Sequence, residues 1–146
     1  MARRDTDPHL DLALERIGDR WTLLIIHALM GGSRRFNELM GDVEGIAPNI
    51  LTKRLRQLEV DSLVVAAPYS QRPVRLEYVL TEPGRELAAA LASLSAWGAR
   101  QTGSTTALLR HSTCGTPVEV RPWCPTCGVW IESPAQGTDT NELDWV

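Results

Sequence analysis

The apolar positions along the chain fall into helical stripes interrupted by one alternating stretch. Leu10, Ala13, Leu14 and Ile17 recur at helical spacing and predict a first helix over Pro8–Ile17, stopped at Gly18. Thr22 to Met30 is almost uniformly apolar and reads as a core helix, broken by Gly31-Gly32-Ser33. "RFNELMG" predicts a short helix over Phe36–Gly41, and "EGIAPN" a turn, with Pro48 suited to a first helical position. "PNILTKRLRQLEVDS" is the most informative stretch. At about 100° per residue, Leu51, Leu55 and Leu58 share one side of a helix over Pro48–Asp61. Asn49, Thr52, Lys53 and Arg56 fall on the opposite side, whereas Arg54 lies nearer the apolar flank and is a weaker member of the polar face.

Two strands follow. "LVVAAPY" (Leu63–Tyr69) reads as the first, and Val74–Thr81 alternates, with Leu76, Tyr78 and Leu80 on one side. "SQRP" between them is a hairpin tip carrying Arg72, with Arg75 just beyond. Thr81 as N-cap and Pro83 in the first turn open one long helix, along which Leu87, Leu91, Leu94 and Trp97 keep helical spacing. A polar linker, Thr102–Thr106, leads into a cysteine-bearing segment and then the acidic end "GTDTNELDWV", where Trp145 is the one candidate for docking. The chain shows no internal repeat. Its organisation is read as a main unit over 1–103, an appendage over 104–132 and an acidic, mobile tail over 133–146.

The order helix, helix, short helix, turn, amphipathic helix, hairpin, long helix is that of a winged helix-turn-helix. The fold class is mainly α with a small β-hairpin wing, plus a small C-terminal β segment of zinc-ribbon type. With its apolar side docked on the core, the helix at Pro48–Asp61 leaves Asn49, Thr52, Lys53 and Arg56 free to enter a major groove. Asparagine pairs bidentately with adenine, and arginine or lysine with guanine. Arg34, Arg35, Arg72 and Arg75 would hold phosphates on either side and position the protein. A polar cationic face is otherwise only solvated surface. The net charge of −3 does not advertise a nucleic-acid partner, but the acidic end weighs the sum down and distribution decides.

From about Leu10 to Gln101 the chain resembles the HxlR-type winged helix-turn-helix regulators of bacteria, relatives of the MarR group. "ALERIGDRWTLLIIHAL", "RRFNEL", "IAPNILTKRLRQLEVDSLV" and "RPVRLEYVLTEPGREL" carry the resemblance, in order, over two thirds of the chain. It implies a transcription regulator that binds double-stranded DNA at paired half-sites. It also implies a homodimer joined through the first and last helices of this region, acting near its own gene. Three departures stand out. Ala47 replaces the usual serine before the recognition helix and cannot accept an N-cap hydrogen bond. Ser62 replaces the usual glycine after it, so a helix exit that is strained or slightly different is expected. Pro8 stands where many members carry a sensing cysteine, so redox sensing by that route is not supported.

All three cysteines lie between His111 and Gly128. No apolar run reaches the roughly 20 residues of a membrane helix, and the N-terminus turns polar too soon for a signal peptide. A cytoplasmic protein is expected, where clustered cysteines point to metal or redox chemistry. His111 and Cys114 are spaced x2, as are Cys124 and Cys127, and both pairs end in Cys-Gly. That spacing lets two side chains reach one ion from a tight turn, and three thiolates with one imidazole fill a tetrahedral Zn2+ site of structural kind. Trp123 and Trp130 would cover the site or pack on the main unit. Two other readings stay open: a Cys124–Cys127 dithiol with no role for His111 and Cys114, or a segment that binds no metal. A zinc-thiolate site would also serve as an oxidation or metal sensor. The other class to weigh is a protein-interaction module that keeps the winged-helix core.

Catalysis is not expected. Four protein ligands leave no open position on a zinc ion. The deaminase pattern fails, with Thr113 and Trp123 where a glutamate and a proline would stand. There is no phosphate loop and no nucleophile–histidine–acid set. His27, inside an apolar helix, reads as a satisfied core histidine, and His9 is uninformative.

Overall fold

The computed structural model describes residues 7–103, 110–111 and 113–131. The acidic end, with Trp145, and most of the linker lie outside the described residues. Six helices and a small sheet make the main unit: α1 (Pro8–Ile17), α2 (Arg20–Met30), β1 (Arg34–Arg35), α3 (Phe36–Asp42), α4 (Pro48–Val60), β2 (Val64–Gln71), β3 (Val74–Leu80), α5 (Glu82–Glu86) and α6 (Ala88–Thr102). The sheet is antiparallel in the order β1-β3-β2, so β3 is central and the β2–β3 hairpin is the wing. A second pair, β4 (Trp123–Cys124) and β5 (Val129–Trp130), lies in the cysteine segment. The whole is the mainly helical winged helix-turn-helix that the element order implied.

The core gathers one face from each element. Ile25, Ile26 and Leu29 of α2 meet Leu39, Val43 and Ile46 around α3, Leu51, Leu55 and Leu58 of α4, Val64 and Leu80 of the wing, and Leu91 of α6. Leu51, Leu55 and Leu58 are buried as their spacing required. His27 is a correction. It is exposed, because Thr22, Ile25, Ile26 and Leu29 define the buried side of α2 and residue 27 points away from them.

Asp19 locks α2 to α4. Its carboxylate accepts the backbone N–H groups of Trp21 (3.1 Å) and Thr22 (3.2 Å) as N-cap of α2, and the Thr22 hydroxyl bonds to it as well. The Arg54 Nε of α4 stands 3.2 Å from the same carboxylate. This contact is an ion pair without hydrogen-bond alignment, and Arg54 Nε is otherwise without a partner in its buried position. Arg54 is therefore tied to the core side of α4, as its place on the helical wheel suggested.

The exit of α4 is a Schellman turn. The N–H of Ser62 donates to Glu59 O (3.0 Å) and that of Leu63 to Leu58 O (2.9 Å). Ser62 takes φ +57°, alone among the described non-glycine residues in the left-handed region. A side chain there costs about 1–2 kcal/mol. Ser62→Gly is expected to raise stability by about 1 kcal/mol, seen as a higher urea midpoint with an unchanged slope.

Two of the departures from the expected boundaries have a clear backbone cause. The long helix beginning at Thr81 is divided at Leu87, whose ψ of −9° opens one turn between α5 and α6. Strand β2 runs to Gln71 rather than Tyr69, because a bulge between Pro68 and Ser70 lets pairing resume at Ser70↔Arg75 and Gln71↔Val74.

Candidate nucleic-acid interface and cysteine segment

The polar face of α4 is open. Asn49, Lys53 and Arg56 are exposed and Thr52 is half-buried. Together with Gln57 and Val60 they line a shallow groove of about 430 Å³. The Thr52 hydroxyl donates back to Pro48 O (2.9 Å), which commits its proton and leaves its oxygen as an acceptor. Ala47 makes no side-chain cap, as expected from its methyl group; its carbonyl instead accepts the Ile50 and Leu51 N–H groups, both at 3.0 Å, and Pro48 at the first position has no N–H to satisfy. Gln57, which the sequence reading passed over, belongs to the same face at 100° spacing. Its amide N–H donates to Asp61 (3.2 Å).

The four flanking arginines separate into different roles. Arg72 at the hairpin tip and Arg75 on β3 are exposed. Arg35 is exposed, with its guanidinium 4.2 Å from the centre of the Tyr69 ring. Arg34 differs from the expectation of a phosphate contact. Its Nε bonds to Asp42 (2.8 Å) and its Nη1 to Ser33 O (3.0 Å), so its charge is compensated within the protein. Strand β1, which no alternation signalled, places these two adjacent arginines on opposite sides by pairing Arg34 with Tyr78 and Arg35 with Glu77.

In the cysteine segment each x2 pair forms its own turn. The N–H of Gly115 donates to His111 O (2.8 Å) and that of Gly128 to Cys124 O (2.9 Å). Both glycines take a left-handed φ, +68° and +66°, which a side chain would resist. His111 Nδ1 lies 3.2 Å from Cys114 Sγ. Two such donors on one zinc ion, at ordinary bond lengths, stand about 3.5 Å apart. In the other turn the Cys127 N–H donates to Cys124 Sγ (3.4 Å). Hydrogen bonding by Thr116 and then His111 holds the Cys114 thiol down at about 7, and the Cys127 N–H lowers that of Cys124. Each turn thus fits half of a metal site. Among the described residues, however, no three histidine, cysteine, aspartate or glutamate side chains gather into one cluster of metal-binding size. Trp123 and Trp130 pack edge to face on each other, 4.8 Å apart, and both remain about half exposed.

Comparison with known proteins gives this arrangement its context. The family model for HxlR-like helix-turn-helix matches residues 16–106. The HTH-type transcriptional regulator Rv3095 of Mycobacterium tuberculosis is 44% identical over 120 residues, covering 80% of this chain and 75% of its own. The reduced form of the transcriptional regulator YodB from Bacillus subtilis superposes with a TM-score of 0.58 at 35% identity, over 65% of this chain and 93% of its own. PA1374 of Pseudomonas aeruginosa, described as a transcription factor, superposes with a TM-score of 0.59 at 34% identity. That match covers 88% of this chain and 91% of the other, so it reaches beyond the winged-helix unit. Among the described residues no helix is long and apolar enough to cross a membrane. The chain belongs to the HxlR-like helix-turn-helix family of transcription regulators.

Proposed function

We propose that this protein is a sequence-specific DNA-binding regulator acting as a homodimer on paired half-sites, with one structural zinc ion in its C-terminal segment. The observation that carries the DNA reading is the open face of α4. Asn49, Thr52, Lys53 and Arg56 stand on it together along one open groove. Asn49 and Arg56 have the donor and acceptor sets that read base edges, and Lys53, Arg35, Arg72 and Arg75 supply charge for phosphates. The dimer reading is supported by apolar surface. Helix α1 has no buried residue, and Leu10, Leu12 and Leu14, with Leu94 and Trp97 of α6, are about half exposed or more. The test is fluorescence anisotropy on a duplex from upstream of the protein's own gene and on a mixed-sequence duplex, at several salt concentrations. Tight binding that falls steeply with salt, at two chains per site, is the expected result. No binding to either duplex would favour a module that meets a protein partner instead.

For the metal, His111, Cys114, Cys124 and Cys127 are the residues that would hold it. The support is the pair of preformed turns and the short His111–Cys114 approach. Bound zinc supplies folding free energy to a segment that otherwise has little apolar core. Purified protein is expected to contain one zinc ion per chain by elemental analysis, and Cys124→Ser almost none. Full retention in Cys124→Ser would reject the four-ligand site. A thiol-responsive role is a second reading, favoured by the exposure of Cys114 and Cys127. DNA affinity unchanged by a mild oxidant would dismiss it.

A further inference from the structure

The wing and the start of α3 build a second groove. It measures about 520 Å³ and is bordered by Arg35, Asn37, Glu38, Tyr69 and Arg75. Three observations bear on what it holds. Tyr69 is the extra residue of the β2 bulge: Pro68 pairs with Leu76 and Ser70 with Arg75, which leaves Tyr69 without a partner on β3. A bulge re-aims a side chain, and here the ring reaches past the central strand to Arg35 at the far edge of the sheet, 4.2 Å from its guanidinium carbon. Second, the Arg35 charge has no carboxylate within ion-pair distance among the described residues, whereas its neighbour Arg34 is held by Asp42. Third, the acid nearest in sequence, Glu38, has its Oε2 bonded to the Arg35 backbone N–H at 2.6 Å, the start of α3.

A guanidinium fork held over a ring by a cation–π contact still has N–H donors to offer a second partner. Such a fork is built for a tetrahedral oxyanion and binds it with two parallel hydrogen bonds. The second guanidinium, on Arg75, borders the same groove.

We infer that this groove is a clamp for the phosphodiester backbone of DNA flanking the segment faced by α4, and that Tyr69 is a positioning residue that holds the Arg35 guanidinium ready for a phosphate. The inference rests on the DNA-binding reading above and adds to it a residue that carries no charge. Its ligand is a backbone phosphate and not a base, so the clamp works on any duplex sequence.

The test measures affinity for a fluorescein-labelled mixed-sequence duplex against salt concentration, in the full-length protein. Tyr69→Ala is expected to weaken binding about tenfold and to lower the salt slope by about 1, the loss of one phosphate contact. Tyr69→Phe keeps the stacking ring and is expected to stay within about twofold of wild type. Arg35→Ala should match Tyr69→Ala, and the double variant should be no weaker than Arg35→Ala alone. Equal losses in Tyr69→Ala and Tyr69→Phe would overturn the stacking role, as would additive losses in the double variant. Thermal melting and circular dichroism of each variant separate these losses from misfolding, and Tyr69→Phe carries the test if Tyr69→Ala does not fold. Wild-type binding that needs Lys53 and Arg56 but ignores Tyr69→Ala overturns this inference and leaves the DNA reading standing. A wild-type chain that binds no duplex overturns both.

Discussion

Lys53→Ala/Arg56→Ala is expected to lower affinity for DNA by about two orders of magnitude while the protein melts within a few degrees of wild type. Both side chains stand on the exposed side of α4, opposite Leu51, Leu55 and Leu58, so neither contributes to the core. Alanine is the best helix former, and surface substitutions of this kind change stability by only about 0.5 kcal/mol. The loss on the DNA side is much larger. A specific base contact is worth about 1–3 kcal/mol, and each phosphate contact adds roughly 0.9 to the salt slope. Two lost contacts of about 1.4 kcal/mol each make a factor of about a hundred. The salt slope tells the roles apart: a base-reading Arg56 leaves it nearly unchanged, whereas a phosphate-bound Lys53 lowers it by about 1. Affinity equal to wild type would mean that α4 does not read DNA with this face.

Gly84→Ala is expected to destabilise the protein although it puts a better helix former into α5. Helix propensity favours alanine by about 1 kcal/mol. The packing opposes it. A Cβ on Gly84 would lie 2.2 Å from the carbonyl oxygen of Leu63 and 3.0 Å from Leu80 Cδ2. That oxygen cannot simply move aside, because it accepts the Thr81 N–H at 3.0 Å. The Thr81 hydroxyl also bonds Ser62 O (2.6 Å) and accepts the Gly84 N–H (3.3 Å), so the start of α5 is laced to the exit of α4. Overpacking against fixed backbone costs about 3 kcal/mol, leaving a net loss of about 2 kcal/mol. For a folded unit of this size the melting temperature falls by roughly 10 °C. Leu63 lies three residues beyond the end of α4, so the strain is expected to shift α4 against the wing, and on the proposed function DNA binding should weaken in the protein that remains folded. An unchanged or raised melting temperature would show that the Leu63 carbonyl gives way.

Much of this molecule is legible in periodicity. The wheel of α4 separates the leucines that the core buries from the side chains that it leaves open, and the fold class follows from the order of elements. Ala47 and Ser62 announced an uncapped start and a strained exit, which the missing cap bond and the φ of +57° show. Less legible were features made by distant pairings. Arg34 and Arg35 are chemically alike and adjacent. Only the pairing of β1 with β3 turns one toward Asp42 and the other toward Tyr69. His27 lies in an apolar run, yet α2 buries a different side.

Local interactions explain the division. A helix stripe, a cap or a turn is decided by residues within a few positions of one another, so it can be read directly from the chain. The sequence by itself determined which residues form α4, which of its sides is apolar, and that two x2 pairs curl into similar turns. The tertiary structure decided what stands beside that helix: Asp19 holding Arg54, Gly84 seated on Leu63, and the Tyr69 bulge carrying an aromatic ring across the sheet to Arg35. These contacts join residues far apart in the chain, and their geometry depends on strand register and on how helices settle into a common core. No local pattern of apolar and polar residues encodes it.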